Sequence, residues 1–242
     1  MLDYSDAYVT IATYNEAENL PMVLPLIGEC APGLNVVIID DGSPDGTGRI
    51  ADAFAADNGW VKVIHRQGKG GYASAHIAGL RQALEWGGKR LLTMDADLSH
   101  DPAVLPAILR GLEEYDMVLG SRYVPGGGTL HWGLLRRLLS RFGSFYARAV
   151  LGLRQRDCTT GYRGYRASLI LTSGILDTQT QGYGFLVEML YRGVTAGARV
   201  LEVPIIFADR QYGQSKLSRA IMLEAALLPW RLRFGRPSNA DR

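Results

Sequence analysis

The feature that most constrains this chain is an alternation across its first 120 residues. Five short β-branched or apolar runs, Tyr8–Ala12, Val36–Ile39, Val61–Ile64, Leu91–Met94 and Met117–Leu119, alternate with helix-length segments at roughly Glu16–Cys30, Thr47–Asn58, Tyr72–Trp86 and Pro102–Leu112. Runs this short and this uniformly apolar read as strands buried on both faces, as happens when helices cover a mostly parallel sheet. Pro102 suits a helix start, where its missing N–H costs little. The expectation is an α/β fold, and no repeat, low-complexity tract or linker divides the 242 residues.

Open parallel sheets bind ligands at the carboxyl ends of their strands, so the residues after each run carry the functional information. They are unusually polar: Thr13-Tyr14-Asn15-Glu16, Asp40-Asp41-Gly42-Ser43, Asp95-Ala96-Asp97 and Gly120-Ser121-Arg122. Two carboxylates at i and i+2 beyond a strand can converge on one hard divalent cation, whose other ligands are phosphate oxygens. Such a cation would stabilise a departing diphosphate. Ser99 could add a weak ligand or hold a water. The same spacing also serves an Asx turn or a helix cap ahead of Pro102. Asp41 could accept from a ribose or a base edge, although Asp-Gly is also an ordinary turn. Lys69-Gly70-Gly71 offers a cation and close-approaching amides to a phosphate, or is a solvated loop. His65, His76, His100 and His131 have no metal-ligand spacing, and only His100 falls near the carboxylates.

Charge divides the chain in two. Residues 1–121 hold 8 basic and 17 acidic residues, a net −9, while residues 122–242 hold 18 and 7, a net +11. Of those 18 bases 17 are Arg, the side chain suited to phosphate because its planar fork cannot lose its charge. Within Trp132–Leu153 the apolar Leu134, Leu138, Phe145 and Ala149 recur at helical spacing, widened by Leu135, Leu139, Phe142 and Tyr146. Arg137, Arg141 and Arg148 take another side, and no acid occurs between Trp132 and Arg156. Such a helix can lie in a membrane interface or pack on a core with a wet Arg face. Ser218–Arg236 is similar, with Pro229 interrupting it before Trp230, Arg231, Arg233 and Arg236. The arginines are interleaved with apolar positions and no recognition motif occurs, which argues against nucleic acid.

Cys30 and Cys158 fit neither a zinc spacing nor a disulfide framework. Uncharged stretches such as Tyr123–Leu135 are too short and Gly-broken to span a bilayer. The N-terminus lacks a basic region leading into an apolar one. The expectation is a cytoplasmic protein, soluble or peripheral on the cytoplasmic face of a membrane.

Taken in order, Thr13–Glu16, DDGSPDGT at Asp40–Thr47, MDADLSHDP at Met94–Pro102, GSRYVPGG at Gly120–Gly127, TTGYRGYR at Thr159–Arg166 and the Arg210…Lys216 pair resemble glycosyltransferase family 2. Within it the chain is similar to the polyprenol-phosphate (dolichol-phosphate) mannose synthases of the short type without transmembrane helices. The resemblance implies a GT-A fold over a single domain, 1–242, with a nucleotide-sugar and metal half (1–121) and an acceptor and membrane-facing half (122–242). It implies inverting transfer of mannose from GDP-mannose to polyprenyl phosphate; the alternatives are a glucosyltransferase using UDP-glucose on the same acceptor, or a membrane-peripheral nucleotide-sugar-binding module without catalysis. Asp95 and Asp97, with the Ser99 position, would hold Mg²⁺ or Mn²⁺ on the diphosphate. Ala12, Tyr14, Glu16, Ile39, Asp41, Lys69 and Ala96 complete the donor site, and Ala12 stands where the family usually has Pro. Arg122, Arg163, Arg210 and Lys216 would carry the transfer, with Arg122, Arg163 and Arg166 on the acceptor phosphate. A separate membrane-anchor protein would be a possible partner.

Overall fold

Each of the five apolar runs is a strand: β1 (Ala7–Thr13), β2 (Asn35–Asp40), β3 (Val61–His65), β4 (Arg90–Met94) and β5 (Met117–Ser121). The computed structural model describes residues 3–178, 180, 182, 184–208 and 219–235. Between the strands lie α1 (Leu20–Cys30), α2 (Thr47–Asp57), α3 (Tyr72–Glu85), and a 3₁₀ turn at Pro102–Val104 leading into α4 (Leu105–Gly111). Then follow β6 (Gly128–Thr129), α5 (Leu134–Leu151), β7 (Arg163–Arg166), α6 (Ala167–Ser173), α7 (Gly184–Thr195), β8 (Val200–Pro204), β9 (Ile206–Phe207) and α8 (Arg219–Phe234).

Seven strands form one sheet in the order β3-β2-β1-β4-β7-β5-β8, all parallel to their neighbours except β7, which runs antiparallel to β4 and β5. β6 and β9 form a separate two-stranded ribbon. The alternation of strand side chains builds a core on each face. Val36 and Ile38 join Leu24, Ile27 and Ile108 on the α1, α2 and α4 side. Val37 and Ile39 join Leu80, Phe185 and Leu190 on the α3, α6 and α7 side. This is the α/β architecture with a mostly parallel sheet between helices that the strand periodicity predicts.

Three local departures have physical causes. α1 begins at Leu20 rather than Glu16, because Glu16 N–H donates to Thr47 Oγ1 at 2.8 Å and the Glu16 carboxylate accepts from Asn19 at 2.6 Å. β7 is a four-residue strand containing two arginines, so it has no apolar run to reveal it. Pro229 lies inside α8, so the helix runs through it instead of breaking there.

α5 turns its apolar side chains outward. Only Ser144, Ala147 and Leu151 of its 18 residues are buried, while Leu135 is 71% and Phe142 64% exposed, with Leu134, Leu138, Leu139 and Phe145 similarly bare. The core-packed alternative for this helix is thereby overturned. α8 is clipped to α5 by Tyr146 Oη donating to Ala226 O (2.6 Å), Trp230 Nε1 to Tyr146 Oη (2.7 Å) and Arg233 to Val150 O (2.7 Å). Among the described residues no helix is long and apolar enough to cross a membrane.

Candidate active site

The carboxyl ends of β2, β1 and β4 are adjacent, so the polar residues that follow them share one edge of the sheet. Beyond β1 the chain passes through Asn15 in the left-handed region (φ 63°), an unusual conformation for a residue other than glycine. This turn is held by the loop after β2: Asn15 N–H donates to Ser43 Oγ, Glu16 N–H to Thr47 Oγ1, and Ala17 N–H to Asp45. Burial opposes ionisation of Asp45, but hydrogen bonds from Thr47 and from backbone amides outweigh it and lower its pKa. Lys69 Nζ lies 4.1 Å over the Tyr14 ring, bringing two of the expected donor residues together.

The two adjacent aspartates of β2 have different work. Asp40 accepts from Ser43 Oγ at 2.5 Å and closes a local turn. Asp41 pairs with Arg66 at 2.7 Å and accepts from Gly71 N–H at 2.8 Å, which ties the Lys69–Gly71 loop to the sheet edge.

β4 runs into Asp95-Ala96-Asp97, followed by Leu98 at φ 59°. That second left-handed residue folds the turn back, so that Asp97 accepts from Ser99 N–H (3.2 Å) and Ser99 Oγ (2.6 Å). Asp95 Oδ1 accepts from Tyr72 Oη at 2.6 Å, and Asp95 N–H donates to His100 Nδ1 at 3.0 Å. His100 stacks on Tyr162 with ring centroids 4.8 Å apart. The start of α3 therefore serves both acidic sites, Gly71 holding Asp41 and Tyr72 holding Asp95. Behind it His76 is fully buried, donating to Thr10 Oγ1, which itself donates to Leu92 O. Burial lowers its pKa to about 4, against the opposing pull of Asp95.

Among the described residues no three His, Cys, Asp or Glu side chains gather as a metal site. The donors at Asp95 and Asp97 fit a hard divalent cation that takes its remaining ligands from phosphate oxygens and water. Each carboxylate has a hydroxyl orienting it, the outer-shell support that metal ligands require. Ser99 supplies one of these hydroxyls. It is buried, and its hydroxyl donates to Asp97 Oδ1, which orients that carboxylate.

The arginines divide sharply. Arg122, at the end of β5, is buried; its Nε and Nη2 donate to Asp157 at 2.7 Å each and Nη2 also to Thr159. Burial alone would lower the Arg122 pKa and raise that of Asp157, but their mutual attraction and hydrogen bonds shift both the other way. The guanidinium is boxed by the rings of Tyr123, Trp132 and Phe207 at 5.3–5.6 Å. Arg163 is a correction. It is 0% exposed and its nitrogens donate to the carbonyls of Thr160, Leu186 and Cys158 at 2.6–2.9 Å, which welds β7 to α7 and keeps it from any phosphate. Arg166 is a second correction. It pairs in register with Arg90 at the start of β4, on the opposite edge of the sheet, and donates to Leu112 O and Glu113 O.

The side chains of Ile39 and Ala96 are packed in the cores. Ala12 lies beside Ile39 in the β1–β2 register, at the last turn before the site. Phe185 and Glu188 are buried in α7, Phe185 against Tyr72 and Glu188 paired with Arg192. Arg210, Lys216 and Tyr183 lie outside the described residues. Both cysteines are free, and burial pushes the Cys158 thiol up to about 12, an unreactive group.

Sequence reasoning passed over two residues of this edge. Tyr72 is the phenol on Asp95, and its signal was the Gly70-Gly71 pair that starts α3. Gly161 comes so close that a Cβ there would lie 2.6 Å from Tyr72 Oη and 3.8 Å from Asp95 Oδ1. It stands within Thr159-Thr160-Gly161-Tyr162, where attention went to the arginine that follows.

Paired aspartates at the end of a central strand of a mostly parallel sheet fit an enzyme that holds a phosphate-bearing ligand through a divalent cation. The glycosyl transferase family 2 profile matches residues 8–172. The chain is 45% identical over 217 residues to an undecaprenyl-phosphate mannosyltransferase of Micrococcus luteus, covering 90% of this chain and 89% of that one. It is 40% identical over 219 residues to a polyprenol monophosphomannose synthase of Mycolicibacterium smegmatis, covering 90% and 83%. In fold it resembles glucosyl-3-phosphoglycerate synthase of Mycobacterium tuberculosis, solved with Mn²⁺, UDP and glucosyl-3-phosphoglycerate. The TM-score is 0.65 at 17% identity, over 96% of this chain and 81% of that one. The chain belongs to glycosyl transferase family 2.

Proposed function

We propose that this enzyme transfers mannose from GDP-mannose to a polyprenyl phosphate, with inversion, giving polyprenyl-phosphate β-mannose and GDP. What supports the acceptor and sugar most directly is the 45% identity to the undecaprenyl-phosphate mannosyltransferase across nine tenths of the chain. Tyr14, Glu16, Asp41 and Lys69, with the backbone at Ala12, would hold the guanosine. Asp95 and Asp97 would hold Mg²⁺ or Mn²⁺, oriented by Tyr72 and Ser99. When bound, the cation would neutralise charge on the diphosphate as it leaves. Arg210 and Lys216 would add positive charge there, with Arg122, paired to Asp157, bracing the edge of the site.

The acceptor oxygen is already an anion at neutral pH, so attack on the anomeric carbon releases no proton and needs no general base. One bond forms between that oxygen and C1 as the bond from C1 to the β-phosphate breaks, and the electron pair leaves with GDP. A single in-line displacement inverts the centre. The protein's own task is to position two anions that repel each other. The outward apolar face of α5 supports peripheral association with a bilayer on its cytoplasmic side, where lipid acceptor and soluble donor meet. A membrane-anchor protein would supplement that contact.

The test is radiolabelled GDP-mannose or UDP-glucose incubated with and without polyprenyl phosphate and Mg²⁺, with label followed into the organic phase. Label from GDP-mannose that requires both additions is expected, and Asp97→Ala should abolish it. Full turnover by Asp97→Ala would overturn the metal assignment, and transfer from UDP-glucose alone would overturn the donor.

A further inference from the structure

Of the three arginines expected on the acceptor phosphate, Arg163 and Arg166 are engaged elsewhere, and Arg122 is locked to Asp157. A different set of three converges on the outside of α5. Arg141 and Arg148 on that helix and Arg156 beyond it line a cavity of about 400 Å³, together with Tyr123 and Phe145. Arg141 lies 5.8 Å from the Tyr123 ring and Arg148 5.9 Å from the Phe145 ring. Tyr123 is fixed by a 2.6 Å bond to Ser140.

Among the described residues no carboxylate lies within ion-pair distance of the three guanidinium groups. The Glu202 carboxylate is engaged by the backbone N–H groups of Arg156 and Asp157. Three like charges around one concavity repel one another, and an anion between them relieves that cost. Phe145 of the lining belongs to the same helix whose Leu138, Leu139 and Phe142 stand bare, so a ligand here meets arginines beside an exposed apolar helix face.

We propose that Arg141, Arg148 and Arg156 form a phosphate-binding site at the lipid–water boundary, built from residues other than the Asp95 and Asp97 carboxylates. It takes the phosphate of an amphiphile whose chain runs along α5. That phosphate belongs either to the acceptor or to an anionic bilayer lipid. The inference rests on the reading of α5 as a membrane-facing helix, and the experiment separates the two.

The variant is Arg141→Gln/Arg148→Gln/Arg156→Gln, whose side chains are exposed or half-buried. One arm measures co-sedimentation with phosphatidylcholine vesicles, with and without phosphatidylglycerol and with no polyprenyl phosphate. The other measures KM for polyprenyl phosphate in neutral detergent micelles, where no bilayer is needed. An arginine near an anionic surface is worth about fivefold in partition, so loss of three predicts about a 100-fold fall in the phosphatidylglycerol-dependent binding if the bilayer lipid is the ligand. If the acceptor is the ligand, KM in micelles rises by a similar factor with kcat much less affected. Either result supports the site and names its source. Unchanged lipid preference together with unchanged KM overturns it. If the unaltered protein ignores all vesicles, the membrane reading of α5 fails, and the micelle arm alone decides the site. If polyprenyl phosphate is no acceptor, the vesicle arm alone decides. Arg148→Lys, which keeps the charge and loses the fork, should have a smaller effect in whichever arm responds.

Discussion

Asp157→Ala tests the buried ion pair that braces the end of β5. The Asp157 carboxylate is fully buried and accepts from Arg122 through both Nε and Nη2, and from the backbone N–H of Arg122 and Thr159. Removing it leaves a guanidinium only 7% exposed, inside three aromatic rings and without a counter-charge. Breaking a buried pair from one side costs about 3–5 kcal/mol. At about 2–4 °C per kcal/mol for a chain of this size, the melting temperature should fall by roughly 10 °C. Arg122→Met/Asp157→Ala removes both charges and should regain part of that loss, because an apolar replacement leaves no orphaned ion. Urea denaturation of all four members of the cycle at pH 7 gives the coupling directly. A cost below about 1 kcal/mol for Asp157→Ala, typical of a solvated surface pair, would refute the reasoning. So would a double variant whose loss equals the sum of the single ones. The pH dependence has a definite sign. The Asp157 carboxyl is held below its usual value, so the pair's contribution is complete above the ordinary carboxylate pKa and disappears as pH falls through the lower folded one.

Tyr72→Phe removes the hydroxyl on Asp95 while keeping the ring against Phe185 and His76; metal affinity, read as Mn²⁺-dependent GDP binding by calorimetry, should weaken about tenfold with the fold intact. Gly161→Ala places a methyl against a phenol already fixed by Asp95, so metal-dependent GDP binding should fall further than in Tyr72→Phe; a neutral result would mean that Tyr72 can move aside. His76, with a folded pKa of about 4 against 6.5 unfolded, leaves stability undiminished above pH 6.5 and reduces it as pH falls toward 4. Relative to His76→Phe, the loss across that window should approach about 3 kcal/mol in urea denaturation at stepped pH. Leu135→Ser/Leu139→Ser/Phe142→Ser changes side chains that are all more than half exposed, so the melting temperature should hold while binding to neutral phosphatidylcholine vesicles drops severalfold.

The sheet was legible wherever apolar runs alternate, because burial on both faces leaves a compositional mark that a single sequence carries. β7 left none: Arg163-Gly164-Tyr165-Arg166 is a strand because β4 and β5 present open edges to it, which is information held in their pairing. The carboxylates were legible for a related reason. A strand end is a defined place in a parallel sheet, and Asp41, Asp95 and Asp97 could be assigned to that edge before anything was known of their neighbours. The start of α1 was not, because Glu16 is drawn out of the helix by Thr47 and Asn19, one of them a partner 31 residues away.

The arginines resisted sequence reading for a deeper reason. A guanidinium has five donors, and its work is decided by whichever acceptors surround it. Arg163 meets three backbone carbonyls, Arg166 two more on the far edge, and Arg122 a buried carboxylate, so each is balanced from within the fold. Motif position marked these three and not Arg141, Arg148 and Arg156, which belong to no quoted motif and line a cavity. The described arginines of residues 122–242 thus include two populations. One consists of internal braces whose removal should cost stability, and the other is a surface whose charge is complete only with an anion from outside. Urea denaturation of Asp157→Ala reads the first, and lipid-dependent binding of the triple Gln variant reads the second. If both variants lost stability equally and neither changed lipid or acceptor dependence, the division itself would be wrong.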